Sequence, residues 1–155
     1  MGATVALQSA AIEPRIEGVV AEDPFADLRE VSYDYAGQRL SPLLGETLFR
    51  PASIFAMDAL AKTGGFDPDD VSPEKAVVAR PFPVLLICGT RDTTIPCRHA
   101  EQIYRTATGP KELWVVNRAE HASALGHAPA EYEEKVVRFL QEVANGDLNR
   151  SMGTD

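Results

Sequence analysis

One continuous apolar run constrains the fold of this chain more than any other feature. The segment PVLLICGT, residues 83–90, carries no charged side chain. A run of this length and composition is typical of a parallel strand that helices cover on both faces, because a solvent-facing side would require alternating polar residues. The sequence therefore predicts a buried strand over about 83–89 at the centre of an α/β fold.

Two further strands and several helices are predicted around this segment. The β-branched run GVVAED predicts a strand over 18–23, and KELWVVN predicts another over 111–117. Apolar residues at helical spacing predict helices over 2–13, 97–108 and 129–146, the last ending at a glycine. Strands that alternate with helices indicate a parallel sheet with right-handed crossovers.

Length and breaking residues indicate one domain that contains an insertion. The chain has 155 residues, 45% of them hydrophobic, which is enough for one ordinary core. Helical pieces broken by glycine and proline fill residues 24–65, and we interpret this segment as a helical lid or insertion. The partial domain is expected to cover 1–146, and the polar residues 147–155 are expected to form a flexible tail.

Charge and hydropathy exclude several classes of partner. The formal net charge is -8, and no basic patch occurs that could bind a phosphate backbone, so nucleic acid is excluded. No apolar run reaches the 18 residues of a membrane span, and no basic region precedes the first apolar stretch as in a secretory signal. We therefore expect a cytoplasmic protein without a membrane partner.

The cysteines and histidines give no metal-site pattern. Cys88 and Cys97 do not form a CxxC pair, and two free thiols in a reducing cytoplasm are predicted in preference to a disulfide. His99 and His127 are expected at the surface, because the three histidines lack the spacing of a metal site. Neither a metal nor an organic cofactor is expected.

Acidic and basic side chains follow the ends of the predicted strands, where open parallel sheets carry their chemistry. Asp92 comes just after the strand over 83–89, and His121 comes four residues after the strand over 111–117. Each alone fits an ordinary turn or loop residue. Together they match a carboxylate that orients a histidine base beside a nucleophile. Asp23, at the end of its own strand, is an alternative acid, or a cap for the helix that follows.

Several segments resemble one family, and the resemblance extends over roughly residues 1–145. These segments are MGATVALQSAAIEPRIEGVVAEDPFADLREV, DPDDVSPEKAV, PVLLICGTRDTTIPCRHAEQIY and GPKELWVVNRAEHASAL. Their most specific parts are the strand followed by Gly-x-x-Asp over 84–92 and the strand leading to the histidine over 112–121. They resemble the second half of a bacterial α/β-hydrolase, nearest to the serine carboxylesterase and peptidase branch whose nucleophile elbow reads Gly-x-Ser-Met-Gly. The resemblance implies that Asp92 is the triad acid and His121 the general base.

The same resemblance places the start of the chain inside the elbow. Met1-Gly2 matches its last two residues, so the nucleophilic serine is expected immediately before Met1. The backbone nitrogen of Met1 would then be a remnant of the oxyanion hole. Ser9, Ser123, Cys88 and Cys97 are poor substitutes for the nucleophile, because none of them occupies the elbow position.

The predicted function is therefore that of a truncated serine hydrolase. The complete enzyme would cleave a small-molecule ester or a peptide through acyl transfer by a Ser-Asp-His triad, and this chain alone would be inactive. One alternative is a non-catalytic binding or assembly module that self-associates through the exposed edge of strand 18–23. Another is the C-terminal half of a split hydrolase whose serine comes from a separate chain.

Overall fold

A parallel sheet of three strands forms the centre of the computed structural model, which describes residues 1–40 and 50–150, with side-chain surroundings for 1–35 and 54–148. The strands are β1 (Val19–Glu22), β2 (Val84–Gly89) and β3 (Lys111–Val116), and their order in the sheet is β1-β2-β3. Both pairings are parallel. All three predicted strands and their relative direction are confirmed.

Helices surround the sheet, and three of them lie within 2–13, 97–108 and 129–146, where the hydrophobic spacing predicts helices. In chain order they are α1 (Gly2–Ile12), α2 (Leu28–Leu40), α3 (Arg50–Gly64), α4 (Pro73–Ala79), α5 (Arg98–Thr106), α6 (Ala124–His127), α7 (Pro129–Ala144) and α8 (Asp147–Arg150), with a 3₁₀ turn at Pro68–Asp70. None of the helices in the described part of the chain is long and apolar enough to cross a membrane.

Two predicted segments extend beyond the described residues. The predicted insertion contains α2 and α3, but residues 41–49 between them lie outside the description, and a lid function stays a prediction. In the predicted tail, Asp147–Arg150 form the short helix α8, and residues 151–155 lie outside the description.

The core lies on both faces of β2, as its continuous apolar sequence predicts. Every residue of β2 is buried. On one face Leu86 belongs to a cluster that includes Leu7 of α1 and Ile103 of α5. On the other face Ile87 belongs to a second cluster that includes Phe139 of α7. Full burial of such side chains stabilises a fold by about 1.5–3 kcal/mol each, so the sheet is firmly held at its centre.

Two predictions about single residues are wrong. His99 is not a surface residue: it is fully buried, accepts the Ala26 N–H at Nδ1 (3.4 Å) and contacts Asp34 through Nε2 (2.8 Å). Cys88 and Cys97 are not free thiols: they form a disulfide with Cα atoms 5.3 Å apart, within the usual range. Both errors arise because α5 packs back onto the sheet and brings its first turn against the end of β2.

A glycine allows the loop after β3 to cross the end of β2. A Cβ atom on Gly89 would lie 2.3 Å from the carbonyl oxygen of Ala119, a separation that backbone atoms do not tolerate. The Arg91 N–H donates to that same oxygen at 2.9 Å, so the crossing is also held by a hydrogen bond. Only a residue without a side chain fits at position 89.

We expect Gly89→Ala to displace the loop around Ala119 and to lower the free energy of unfolding by about 1–3 kcal/mol, the usual effect of overpacking. Urea denaturation followed by Trp114 fluorescence measures it. Gly126→Ala is the matched control, because nothing lies within 4 Å of a Cβ atom at Gly126. Equal midpoints for the two variants would show that the close approach at Gly89 is not a constraint.

Candidate active site

The turn after β2 holds Asp92 in one orientation. Its Oδ1 accepts the N–H groups of Thr94 (2.7 Å) and Ile95 (2.8 Å), and its own N–H donates to the Gly89 carbonyl (3.2 Å). Asp and Asn commonly fold such turns, because the side chain replaces a backbone acceptor. The carboxylate is buried, and its second oxygen remains available to another part of the chain.

That second oxygen meets His121. The Nδ1 atom of His121 lies 2.7 Å from Asp92 Oδ2, a hydrogen-bond distance. Since the carboxylate can only accept, the proton of the neutral imidazole lies on Nδ1 and the lone pair lies on Nε2. Among the described residues, no hydrogen bond is formed by Nε2. The structure thus brings the two predicted site residues together.

The imidazole lies at an open cleft. His121 has 39% of its side chain exposed, and the cleft beside it has a volume of about 650 Å³. The other residues that line the cleft are polar or charged: Thr90, Arg91, Thr93, Thr94 and Glu120. A small molecule or a second polypeptide segment could therefore reach the imidazole of His121.

Ser123 takes part in the loop that carries the histidine. Its hydroxyl accepts the Glu120 N–H (2.7 Å) and donates to the Glu120 carbonyl (2.8 Å). The hydroxyl therefore closes a local turn, and it makes no hydrogen bond to His121. This geometry agrees with the expectation that Ser123 does not replace the nucleophile.

A second carboxylate lies beside the same imidazole nitrogen. Asp23 Oδ2 accepts the Ala122 N–H at 2.7 Å and lies 3.6 Å from His121 Nδ1. Asp23 is 4% exposed, and its Oδ1 has no hydrogen-bond partner in the described structure. Asp92 makes the shorter contact with His121, so the geometry favours Asp92 over Asp23 as the orienting acid.

Burial raises the pKa of Asp23 to about 6 from its ordinary value of 3.8. Removal of the carboxylate from water is the largest cause, and the negative charges of Asp92 and Glu22 add to it. The Ala122 N–H and the charge of His121 act in the opposite direction. The site therefore contains one carboxyl group that changes its charge near neutral pH.

Met1 lies at the N-terminal end of α1. It is 78% exposed, and its carbonyl accepts the Val5 N–H at the start of α1 (3.1 Å). The hydrogen bonds of His121 within the described residues do not include Met1. Its predicted role as an oxyanion-hole remnant stays a prediction.

The geometry suits an acid–base pair better than a metal centre. Ligand atoms of Asp23, Asp92 and His121 all lie within 4.8 Å of one another, which is close enough for three residues to hold a cation. However, the 2.7 Å contact to Asp92 places the imidazole proton on Nδ1, the nitrogen that such a cation would need. We therefore interpret these three side chains as a site for proton transfer rather than for metal binding.

Sequence reasoning missed Glu22. Its Oε1 accepts the Ala124 N–H (3.0 Å), and its Oε2 accepts the Tyr132 hydroxyl (3.3 Å). The available signal was the acidic pair at the end of a short apolar strand, since charged side chains in such a place need partners.

Solved structures show which fold this arrangement belongs to. The chain superposes on an esterase of Pyrococcus furiosus with a TM-score of 0.61 and 23% identity, covering 90% of this chain and 50% of that one. It superposes on the acetyl xylan esterase from Paenibacillus sp. R4 with a TM-score of 0.63 and 19% identity, covering 90% and 42%. It superposes on an α/β-hydrolase from a lagoon-sediment metagenome with a TM-score of 0.57 and 18% identity, covering 91% of this chain and 57% of that one. The predicted α/β-hydrolase fold is confirmed.

Sequence similarity to curated proteins extends over a shorter part of the chain. Uncharacterized protein YfhR of Escherichia coli (strain K12) is 36% identical over 66 residues, which are 42% of this chain and 23% of that protein. Uncharacterized protein YqkD of Bacillus subtilis (strain 168) is 31% identical over 80 residues, which are 52% of this chain and 26% of that protein. No protein-family model matches the chain. The chain thus spans about a quarter of these curated relatives and about half of the solved esterases.

We expect the raised pKa of Asp23 to make stability depend on pH. Between about pH 4 and pH 6 the folded state binds more protons than the unfolded state, so the free energy of unfolding falls as pH rises through this window. Well above pH 6 the decrease in the free energy of unfolding is complete, and it amounts to about 3 kcal/mol. Asp23→Asn removes the charge, and it should therefore be more stable than the wild type at pH 8 and nearly equal at pH 4.

Urea denaturation at pH 4, 6 and 8 measures this difference. The exposed Glu133→Gln is the matched control and should stay within about 0.5 kcal/mol of the wild type at each pH. A constant difference between Asp23→Asn and the wild type at all three pH values would contradict the assignment of this ionisation to Asp23.

Proposed function

We propose that this chain, which has the α/β-hydrolase fold, supplies the general base and the orienting acid of a serine hydrolase that cleaves carboxylic ester or amide bonds. The observation that carries the proposal is the contact between Asp92 and His121 with the free Nε2 at an open cleft. This is the geometry that activates a hydroxyl nucleophile. The fold, shared with several esterases, supports the same reaction class.

The nucleophile in this proposal belongs to a segment outside the 155 residues. The chain spans about half of the solved esterases, so room for such a segment exists in the shared fold. Within the described residues, no serine, threonine or cysteine makes a hydrogen bond to His121. The complete hydrolase then consists of this chain with a preceding segment of the same protein, or with a separately encoded partner.

The proposed reaction has two proton-transfer cycles. His121 Nε2 removes the proton of the serine hydroxyl while the serine oxygen bonds to the substrate carbonyl carbon. Asp92 stabilises the resulting imidazolium through its hydrogen bond with Nδ1–H. His121 then returns the proton to the leaving alcohol or amine as the acyl-enzyme forms. Water, deprotonated by the same nitrogen, attacks the acyl group, and the serine regains its proton as the acid leaves.

A non-catalytic assembly role is the second candidate, and the edge of the sheet supports it. Within the described residues β1 pairs with β2 only, so its other side presents unpaired backbone groups. Such an edge can pair with a strand of another chain. Under this alternative the protein self-associates through residues 18–23 and hydrolyses nothing.

The first test of the proposal is the DNA upstream of the Met1 codon, translated in frame. We expect it to encode a strand that ends in Gly-x-Ser. The protein made from the extended frame, or from both segments together, should hydrolyse p-nitrophenyl acetate and react with a fluorophosphonate probe. The 155-residue chain alone should do neither.

In that active protein, His121→Ala and Asp92→Asn should each lower kcat by about 10⁴-fold, because the base is lost or held in the wrong tautomer. His127→Ala is the matched control, since this exposed histidine lies at the end of the nearby helix α6, and its ring nitrogen Nδ1 is 3.2 Å from the Ser123 carbonyl oxygen. Full activity in His121→Ala would exclude the proposed mechanism. A stop codon close upstream, with dimers in solution, would favour the assembly role.

A further inference from the structure

The loop that carries His121 is anchored to a strand that is not its neighbour. In the sheet order β1-β2-β3, the loop after β3 must cross the end of β2 to reach β1. The loop crosses β2 at Gly89, and beyond the crossing two acidic residues accept hydrogen bonds from its backbone. Asp23 accepts the Ala122 N–H at 2.7 Å, and Glu22 accepts the Ala124 N–H at 3.0 Å. Carboxylates at the end of β1 thus bind the backbone directly after the histidine.

We propose that Asp23 is a positioning residue for His121, which it holds in place through the Ala122 N–H and through its charge beside the imidazole. The inference rests on the proposed role of His121 as the base. It assigns different tasks to the two aspartates. Asp92 bonds to the ring and sets its tautomer, whereas Asp23 sets the position of the loop from which the ring extends.

The backbone around Asp23 is itself firmly held, which a positioning residue requires. Asp23 has a φ of +48°, a left-handed conformation that aspartate tolerates better than most residues. Its N–H donates to the Ile87 carbonyl of the central strand at 2.8 Å. Three residues later, the buried His99 accepts the Ala26 N–H. The carboxylate therefore extends from a fixed point toward the loop.

The electrostatic surroundings also favour this role. The ionisable groups that influence Asp23 are Asp92, Glu22 and His121, and only His121 can carry a positive charge. The Asp23 carboxylate oxygen Oδ2 lies 3.6 Å from Nδ1 of His121. A proton gained at Nε2 would make the ring cationic, and two carboxylates rather than one would then face that charge.

Two substitutions at Asp23 test the hydrogen bond to the Ala122 N–H without changing the backbone conformation at position 23. Asp23→Asn keeps an acceptor for the Ala122 N–H, and Asp23→Gly removes it. Both residues tolerate the positive φ, so backbone strain is matched. The readouts are NMR signals of the substrate-free 155-residue chain: the imidazole Nδ1–H proton of His121 and the exchange rate of the Ala122 amide proton. Neither depends on hydrolysis.

In Asp23→Gly we expect loss or broadening of the His121 Nδ1–H signal and exchange of the Ala122 amide that is faster by about tenfold or more, the effect of a lost charge-assisted hydrogen bond. Asp23→Asn should keep the Nδ1–H signal. Asp92→Asn, which removes the ring's own acceptor charge, should lose the Nδ1–H signal but keep Ala122 protected. Trp114 fluorescence reports whether each variant is folded.

An unchanged Nδ1–H signal and unchanged Ala122 exchange in a folded Asp23→Gly variant would overturn the inference. If that variant does not fold, the wild type and Asp23→Asn decide the question. The chemical shift of the Ala122 amide should then follow the ionisation of Asp23, which Asp23→Asn lacks, in addition to any pH-dependent change that both proteins share. Identical pH profiles in the two proteins would equally overturn it. An inactive complete protein would count against the proposed function and leave these results intact.

Discussion

The close approach of two backbone segments at Gly89 is the constraint on which the site depends. The central strand β2 is buried on both faces, so its position cannot shift to make room at its end. The loop after β3 passes directly over that end, and the oxygen of Ala119 occupies the space where a side chain would begin. One glycine thus brings His121 over Asp92, which follows the same strand three residues later.

Three ionisable groups share this small region, and their environments differ. Asp92 has both oxygens engaged by hydrogen bonds, whereas Asp23 is equally buried and leaves one oxygen unpaired. Removal of a carboxylate from water favours its neutral form, and this burial is the largest cause of the raised pKa of Asp23. Retaining such a group lowers stability at neutral pH. Under the proposed function, this loss of stability accompanies the orientation of His121 and the stabilisation of its positive charge.

The sequence predicted the scaffold well and the contacts around it less completely. The three strands and the helices α1, α5 and α7 followed from apolar patterns, and Asp92 and His121 were selected by their places after strands. His99, Cys88 and Cys97 were assigned wrongly, because the local sequence does not reveal that α5 packs its first turn against the sheet. The anchoring contact between Asp23 and Ala122 joins residues 99 positions apart, and no local pattern reports such a distance.

The amino-acid sequence by itself determined the alternation of strands and helices, the burial of β2 and the order of Asp92 and His121 along the chain. These properties follow from hydrophobic periodicity and from turn residues, which act over a few positions. Only the tertiary structure decided that the acidic end of β1 would receive the loop after β3. That contact depends on the order of strands in the sheet and on a close backbone crossing, and both arise from packing between distant segments.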